Sequence, residues 1–425
     1  MSGHPREARG LDRREFLRRS AAATVGLSSA GAFLAACASD EPTGAPVGTG
    51  GGGETTAAPF ELARKDNPVT LPLYDDNPAI ASGLEPEAGP LKIYNWIDYL
   101  DKKTVKKFDK EFGVKTEITI FNTMDEAIAK LRAGSDFDVF FPTPDRLGKL
   151  VAAKLLQPIN LDYLPNVQNM WPELQSPFYD VGSRYTVPYV IYTTGIGYRT
   201  DHVTPPPEGF DNPYDIFYET NYRGRTFLLD DYREAIAMLL LRNGGTDVNT
   251  GDEAQLEQVR QDLLGLTDAV NVKVSVLDYT LVPEGRAWVH QAWSGDFVSA
   301  QYYLPKGVDY SVLGYWFPPD GKGLIGNDTM AVLRSAKNPV LAHEFLNFMM
   351  DNDNAYANFY NFVGYQPPLT SLNPDRLVAD EVVPPHLDTC VVRQEDFDQG
   401  YTLLELSPEV DALWQNIWAE FKSGA

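Results

Sequence analysis

From residue 91 onward the sequence alternates short apolar runs with amphipathic stretches, and this alternation restricts the fold more than any other feature. Leu91-Lys92-Ile93-Tyr94-Asn95 reads as a strand, after which Val105, Phe108 and Phe112 mark one helical face that Gly113 is placed to end. Residues 114–121 read as a second strand. Thr123 and Glu126 then have the spacing of a capping box ahead of a helix carrying Ile128 and Leu131, closed at Gly134. Phe137-Asp138-Val139-Phe140-Phe141 is a third, apolar strand with one acid. Strands separated by single helices need crossover connections, so the order β-α-β-α-β predicts a parallel sheet covered by helices. Such a sheet collects its ligand groups in the loops just past the strand ends.

The 425 residues are 43% hydrophobic and 12% aromatic, enough to bury sizeable cores in two or three domains. Lys and Arg number 36 against 59 Asp and Glu, a formal net charge of −23. That balance argues against nucleic acid, which is bound through basic patches, and against an anionic membrane surface. Cys37 and Cys390 cannot build a disulfide framework and fit no zinc or redox spacing, and Cys390 reads as an unreactive buried thiol.

The first 36 residues read as an export leader. A twin-arginine block, Arg13-Arg14-Glu15-Phe16-Leu17-Arg18, precedes a small apolar run over residues 21–36 that is too short to span a bilayer. Leu34-Ala35-Ala36-Cys37 resembles the lipobox of bacterial lipoproteins, which implies acylation of Cys37 and attachment to the outer face of the cell membrane, on its periplasmic or extracellular side. Without residues 1–36 the chain keeps 30 bases against 56 acids. Residues 37–90 read as the lipidated cysteine and a flexible tether. The stretch up to Pro59 is rich in Gly, Ser, Thr and Pro, and its Gly48-to-Gly53 match to a dinucleotide fingerprint has neither strand nor helix around it.

The positions after the strands hold the chemistry. Trp96-Ile97-Asp98-Tyr99 follows the first strand, and Pro142-Thr143-Pro144-Asp145 follows the third. Asp230-Asp231-Tyr232-Arg233-Glu234 comes after an apolar run at Thr226, Trp293-Ser294-Gly295-Asp296 after one at Ala287, and Asp328 after Leu324-Ile325-Gly326-Asn327. Aromatics and carboxylates recur there with Arg233 as the only base. The set suits an organic cation: carboxylates bind ammonium groups, and aromatic faces cover methylenes and add cation–π attraction of about 0.5–2 kcal/mol each.

Tyr94-Asn95-Trp96-Ile97-Asp98-Tyr99, Phe141-Pro142-Thr143, Val187-Pro188-Tyr189 before Gly195-Ile196-Gly197, the run at Asp230, the run at Trp293 and Val363-Gly364-Tyr365 together resemble the spermidine/putrescine-binding proteins of ABC importers. The resemblance implies an α/β, two-lobed periplasmic-binding-protein-like fold of type II, each lobe a mainly parallel sheet flanked by helices. One lobe is expected from residues 91–191 plus 328–372 and the other from 192–327 plus 373–425, with the hinge near residues 190–194 and 325–328. It further implies a monomeric receptor that closes on putrescine or spermidine and docks onto permease subunits, with no cofactor and no metal.

By resemblance, Trp96, Tyr99, Trp293 and Tyr365 form an aromatic box, Asp296 and Asp328 hold one amino group, and Asp231 and Glu234 hold the other end. Asp98 and Asp145 are further candidates, and Thr143 replaces a family serine. Gly326 stands where spermidine-type members place a second tryptophan, Asp145 where some have tyrosine, and Ile97 where a small hydroxyl residue is found. These changes remove one aromatic wall and add one charge.

Other readings compete. Asp231 with Glu234 could be a helix N-cap and its partner. Trp414 and Trp418 share a helical face with Val410, Leu413, Ile417 and Phe421, a packing pattern. The same clamp could take another small cationic or amino-acid-derived solute. An exported carboxylate-dependent hydrolase is the alternative from another class, but no H-E-x-x-H, C-x-x-C or G-x-S-x-G occurs and the five histidines stand singly. The expectation is therefore a binding protein and not an enzyme.

Overall fold

The computed structural model describes residues 61–424 apart from Pro207, so the expected export leader, Cys37 and the part of the expected 37–90 tether up to residue 60 lie outside the described residues. Ten strands run through the described body: β1 (Leu91–Trp96), β2 (Thr116–Phe121), β3 (Val139–Phe140), β4 (Leu156–Gln157), β5 (Val187–Arg199), β6 (Thr226–Leu228), β7 (Lys273–Val274), β8 (Val289–Trp293), β9 (Leu313–Trp316) and β10 (Leu324–Leu333). Their order is β2-β1-β3-β10-β5-β8-β6-β7, with β4 added on β10 and β9 on β5.

The expected β-α-β-α-β unit is present. β1 pairs in parallel with β2 and β3, and the connecting helices are Lys102–Phe112 and Met124–Arg132. Gly113 ends the first helix at φ 67°, a conformation that costs a residue without Cβ little. Thr123 caps the second by accepting from Glu126 N, while Glu126 itself accepts from Asn122 N and not from Thr123, so half of the expected box forms. Asp138, the one acid of the third apolar run, is buried because it accepts from the backbone N–H groups of Lys92, Lys337 and Asn338. Its carboxylate is thereby spent on donors that would otherwise be orphaned.

A second parallel triplet, β7-β6-β8, mirrors the first. Between the triplets lie two long strands, β5 and β10, which contain the segments 190–194 and 325–328 where the resemblance puts the hinge between lobes. β5 and β10 run antiparallel from Leu324↔Thr194 to Met330↔Val187. One end of β10 meets β3, and the far half of β5 meets β8. The register slips between Asp328↔Val190 and Thr329↔Pro188, so Tyr189 is left over as a bulge beside Asp328.

Each triplet has its own core. Leu91, Ile93 and Phe108 pack with Phe345 and Leu346 of the helix Pro339–Met349. Ile236, Leu239, Val259, Leu263 and Trp414 pack where the helices Tyr232–Arg242, Glu253–Val270 and Pro408–Gly424 meet. Trp414, Trp418 and Phe421 are buried in that second core, as their helical spacing predicts, and Cys390 is a buried free thiol. Burying these faces is worth about 1.5–3 kcal/mol per large side chain.

Residues 61–90, grouped above with the tether, lie against the body. Val69 exchanges backbone bonds with Phe178 and Val181, the Tyr185 hydroxyl donates to Pro72 O, and the Asn77 amide donates to Leu156 O. The Glu87 carboxylate accepts from Val340 N and Leu341 N at 3.3 and 2.9 Å, at the N-terminus of the helix Pro339–Met349, where a negative charge is favoured.

Candidate functional site

The strand ends converge on one cavity of about 150 Å³. β1 delivers Trp96, Asp98 at φ 55° and Tyr99; the turn after β3 delivers Thr143 and Asp145. β6 leads to Asp231 and Glu234 on the helix Tyr232–Arg242, and β8 leads to Trp293 and to Asp296 on the helix Ser294–Ala300. Asp328 comes from the middle of β10, and Tyr365 follows Gly364, whose φ of 79° turns the chain. All eleven side chains named from the sequence line this cavity; no residue of the segment 61–90 does.

Their partners differ. The Tyr99 hydroxyl donates to Asp328 Oδ2 at 2.6 Å, while Asp328 Oδ1 is buried without a hydrogen-bond partner. Trp293 Nε1 donates to Glu234 Oε1 at 3.1 Å, while Glu234 Oε2 is buried without one. Asp231 Oδ1 accepts from Arg233 N and Glu234 N at 2.8 and 3.2 Å, so the N-cap reading holds and the residue also faces the cavity. Glu234 is not its reciprocal partner; it is turned to the indole.

Asp145, expected as a further ligand acid that adds one charge, lines the cavity and is engaged by neighbouring side chains. Its carboxylate takes the Thr143 hydroxyl and sits 3.5 Å from Arg146 Nε and 3.6 Å from Arg233 Nη1. Arg146 in turn donates to the Tyr232 hydroxyl at 2.6 Å and lies 3.5 Å from Asp411, which Lys149 also holds at 2.6 Å. The two guanidiniums thus lie within ion-pair distance of these acids, while Arg146 Nε, Arg233 Nε and Arg233 Nη1 are buried without a hydrogen-bond partner.

Aromatic rings wall the space. Tyr365 meets Tyr99 edge-on at 5.0 Å and Tyr192 at 5.8 Å. Gly295 is required here: a Cβ on it would lie 2.3 Å from Tyr365 Cγ. Trp96 packs on Phe121 at 4.5 Å and ties its Nε1 to Phe141 O.

Burial dominates the electrostatics. It pushes the Glu234 carboxyl up to about 8, aided by Asp231 and opposed by the Trp293 N–H. Burial pushes Asp328 up to about 7 against the hydroxyls of Tyr99 and Tyr192, and Asp296 up to about 6. Asp278, which lies outside the sequence motifs named above, is wholly buried behind Asp296 on the short helix Asp278–Leu281. Burial and then the facing Asp296 carboxyl push Asp278 well above the usual carboxylate range.

Tyr192 and Tyr279 were also missed. Tyr192 alternates with Val190 and Thr194 along β5 and only the ladder turns it to the cavity, while Tyr279 reaches Asp98 Oδ2 at 3.4 Å. Among the described residues no group of three His, Cys, Asp or Glu side chains is arranged to hold a metal ion. Buried carboxylate oxygens without donors, faced by tyrosine and tryptophan rings, match ammonium groups on an apolar chain.

Residues 103–384 match the bacterial extracellular solute-binding protein family. The putrescine-binding periplasmic protein PotF of Escherichia coli is 28% identical over 359 residues, covering 80% of this chain and 93% of PotF. A putrescine/cadaverine-binding protein of Pseudomonas aeruginosa is 27% identical over 288 residues, 66% of this chain and 80% of that protein. The crystal structure of the substrate-binding protein PotD of Streptococcus pneumoniae superposes with a TM-score of 0.63 at 23% identity, covering 79% of this chain and 98% of PotD, and so shares the two-lobed fold. The two sequence relatives are binding proteins by name and the matching family is one of solute-binding proteins, which favours the binding-protein expectation over the hydrolase. With two-thirds of its length matched by the family and its strand ends gathered on one cleft, the chain belongs to the bacterial extracellular solute-binding proteins.

Proposed function

We propose that this protein is the extracytoplasmic receptor of an ABC importer and that it binds a polyamine, putrescine or spermidine, in the cavity described above. The observation that carries the reading is the pair of buried, unpartnered carboxylate oxygens, Asp328 Oδ1 and Glu234 Oε2, inside an aromatic enclosure. An unpaired buried acceptor is costly, and an ammonium group relieves that cost in both places. Arg146 and Arg233 of the lining both face Asp145, and Arg146 also faces Asp411, while acids outnumber these two bases around the cavity, which disfavours an anionic ligand.

In this reading Asp328 and Asp296 take one ammonium and Glu234 with Asp231 the other, and Trp96, Tyr99, Trp293 and Tyr365 cover the methylenes. Asp98 adds charge at the rim and Asp145 acts through Arg233. The lobes are residues 91–191 with 328–372 and residues 192–327 with 373–425. Their boundary falls inside the β5–β10 pair, and the two separate cores support it. Bending there lets ligand binding select the closed form that a permease recognises. The monomeric receptor is anchored through acylated Cys37 to the outer face of the membrane.

Micromolar binding corresponds to about −8 kcal/mol, within reach of two charge-assisted contacts and a few cation–π faces. Calorimetry with putrescine, cadaverine, spermidine and spermine on the folded protein tests the proposal. Binding of at least one at micromolar concentration is expected; no heat with any of them refutes it. Loss of membrane association in Cys37→Ala tests the anchor.

A further inference from the structure

Gly326 lies in the interior of β10, where a residue without a side chain weakens a strand unless another group comes close. Its cross-strand neighbour is Tyr192 of β5. A Cβ on Gly326 would lie 2.8 Å from both Cζ and Oη of Tyr192 and 3.0 Å from Cε2. The tyrosine ring therefore lies across the glycine, in the volume that a side chain at 326 would enter. Both residues line the cavity.

The ring is held in place from a second side, edge-on to Tyr365 at an interplanar angle of 82°. Burial, then Asp328, Glu234, Asp145 and Asp231, keep its hydroxyl protonated, so the hydroxyl is a donor in the space that those carboxylates share. The wall that the sequence reading counts as missing at Gly326 is thus supplied from the opposite strand, in a different shape: a phenol that projects its polar end into the cavity.

We propose that Tyr192, seated over Gly326, is the specificity-determining wall of the cavity: its ring restricts the room beside Asp328, and removing it favours a triamine over a diamine. The proposal rests on the polyamine reading. A side chain that served packing alone would affect stability and leave the ranking of ligands unchanged.

The test compares wild type, Tyr192→Gly, Tyr192→Phe, Gly326→Trp and the double variant Tyr192→Gly/Gly326→Trp, by calorimetry with putrescine and spermidine and by thermal melting without ligand. Tyr192→Gly should move the spermidine-to-putrescine affinity ratio at least fivefold toward spermidine. Tyr192→Phe, which keeps the ring, should leave that ratio within twofold of wild type. Gly326→Trp alone sets two rings in one volume and should lose affinity for both ligands, or fail to fold. The double variant should fold and bind at least tenfold tighter than Gly326→Trp.

A ratio unchanged within twofold in Tyr192→Gly overturns the proposal. So does a shift in Tyr192→Phe as large as that in Tyr192→Gly, or a double variant no better than Gly326→Trp. A wild-type protein that binds no polyamine overturns the functional reading itself, whereas wild-type binding with an unmoved ratio overturns only the role of Tyr192.

Discussion

If Asp328 and Glu234 receive the ligand as proposed, polyamine binding should tighten as pH rises, because burial raises both carboxyls toward the neutral range. Burial sets Asp328 to about 7 and Glu234 to about 8. At pH 6 these groups are about one-tenth and one-hundredth ionised, so ionising Asp328 costs about 1.4 kcal/mol and ionising both about 4 kcal/mol. At pH 8.5 the joint cost is about 0.2 kcal/mol. An ammonium ligand favours the ionised acids, so it expels their protons on binding. Primary amines titrate near pH 10, as lysine does, and stay charged throughout. Affinity should therefore rise about tenfold from pH 6 to pH 8.5 if the ligand ionises Asp328 alone, and about 800-fold if it ionises both. Calorimetry at pH 6.5 in two buffers of different ionisation enthalpy counts the released protons: between about one and two are expected. An affinity constant within twofold over this range, with no proton released, would refute the assignment of Asp328 and Glu234 as ammonium partners.

The same shifts act in the opposite direction on the ligand-free fold. A carboxyl raised by folding stabilises below its unfolded pKa and loses that contribution as pH climbs through the folded value, so the empty protein should melt lower at pH 8 than at pH 5, and ligand should raise the melting temperature more at pH 8. Asp278→Asn should leave binding within about threefold of wild type, since an amide replaces a carboxyl that is already neutral, whereas Asp296→Asn should weaken it more than tenfold; equal losses in calorimetry would show that the charge is not carried by Asp296. Gly295→Ala drives a methyl into Tyr365, 2.3 Å from Cγ, and should abolish measurable binding while the far-ultraviolet circular dichroism is retained. Arg146→Met removes a buried guanidinium from Asp145, Asp411 and Tyr232 and should cost about 3 kcal/mol in urea unfolding; a loss below about 0.5 kcal/mol would show that the network contributes nothing.

Local chemistry made several elements readable before folding. The period of Val105, Phe108 and Phe112, the stop at Gly113 and the cap at Thr123 depend on neighbours within one turn of helix, and they appear where the pattern puts them. The face of Trp414, Ile417, Trp418 and Phe421 is likewise a matter of helical spacing, and it is buried. Asp145 reads from sequence as a further candidate ligand acid, and the fold brackets it with two arginines, one of them 88 residues further along the chain. The segment 61–90 is proline-rich and lacks periodicity, yet backbone bonds to distant loops tie it down.

The sequence by itself determined that the chain is α/β, that its strand ends carry carboxylates beside aromatics, and that these point to an organic cation, because strand–helix alternation and residue chemistry are local properties. Only the tertiary structure decided how those groups act. Antiparallel pairing of β5 with β10 sets Tyr192 over Gly326, burial behind Asp296 disfavours the charged form of Asp278, and Arg146 and Arg233 approach Asp145. Register, burial and charge pairing arise between residues far apart in the chain, and no window of sequence contains both partners.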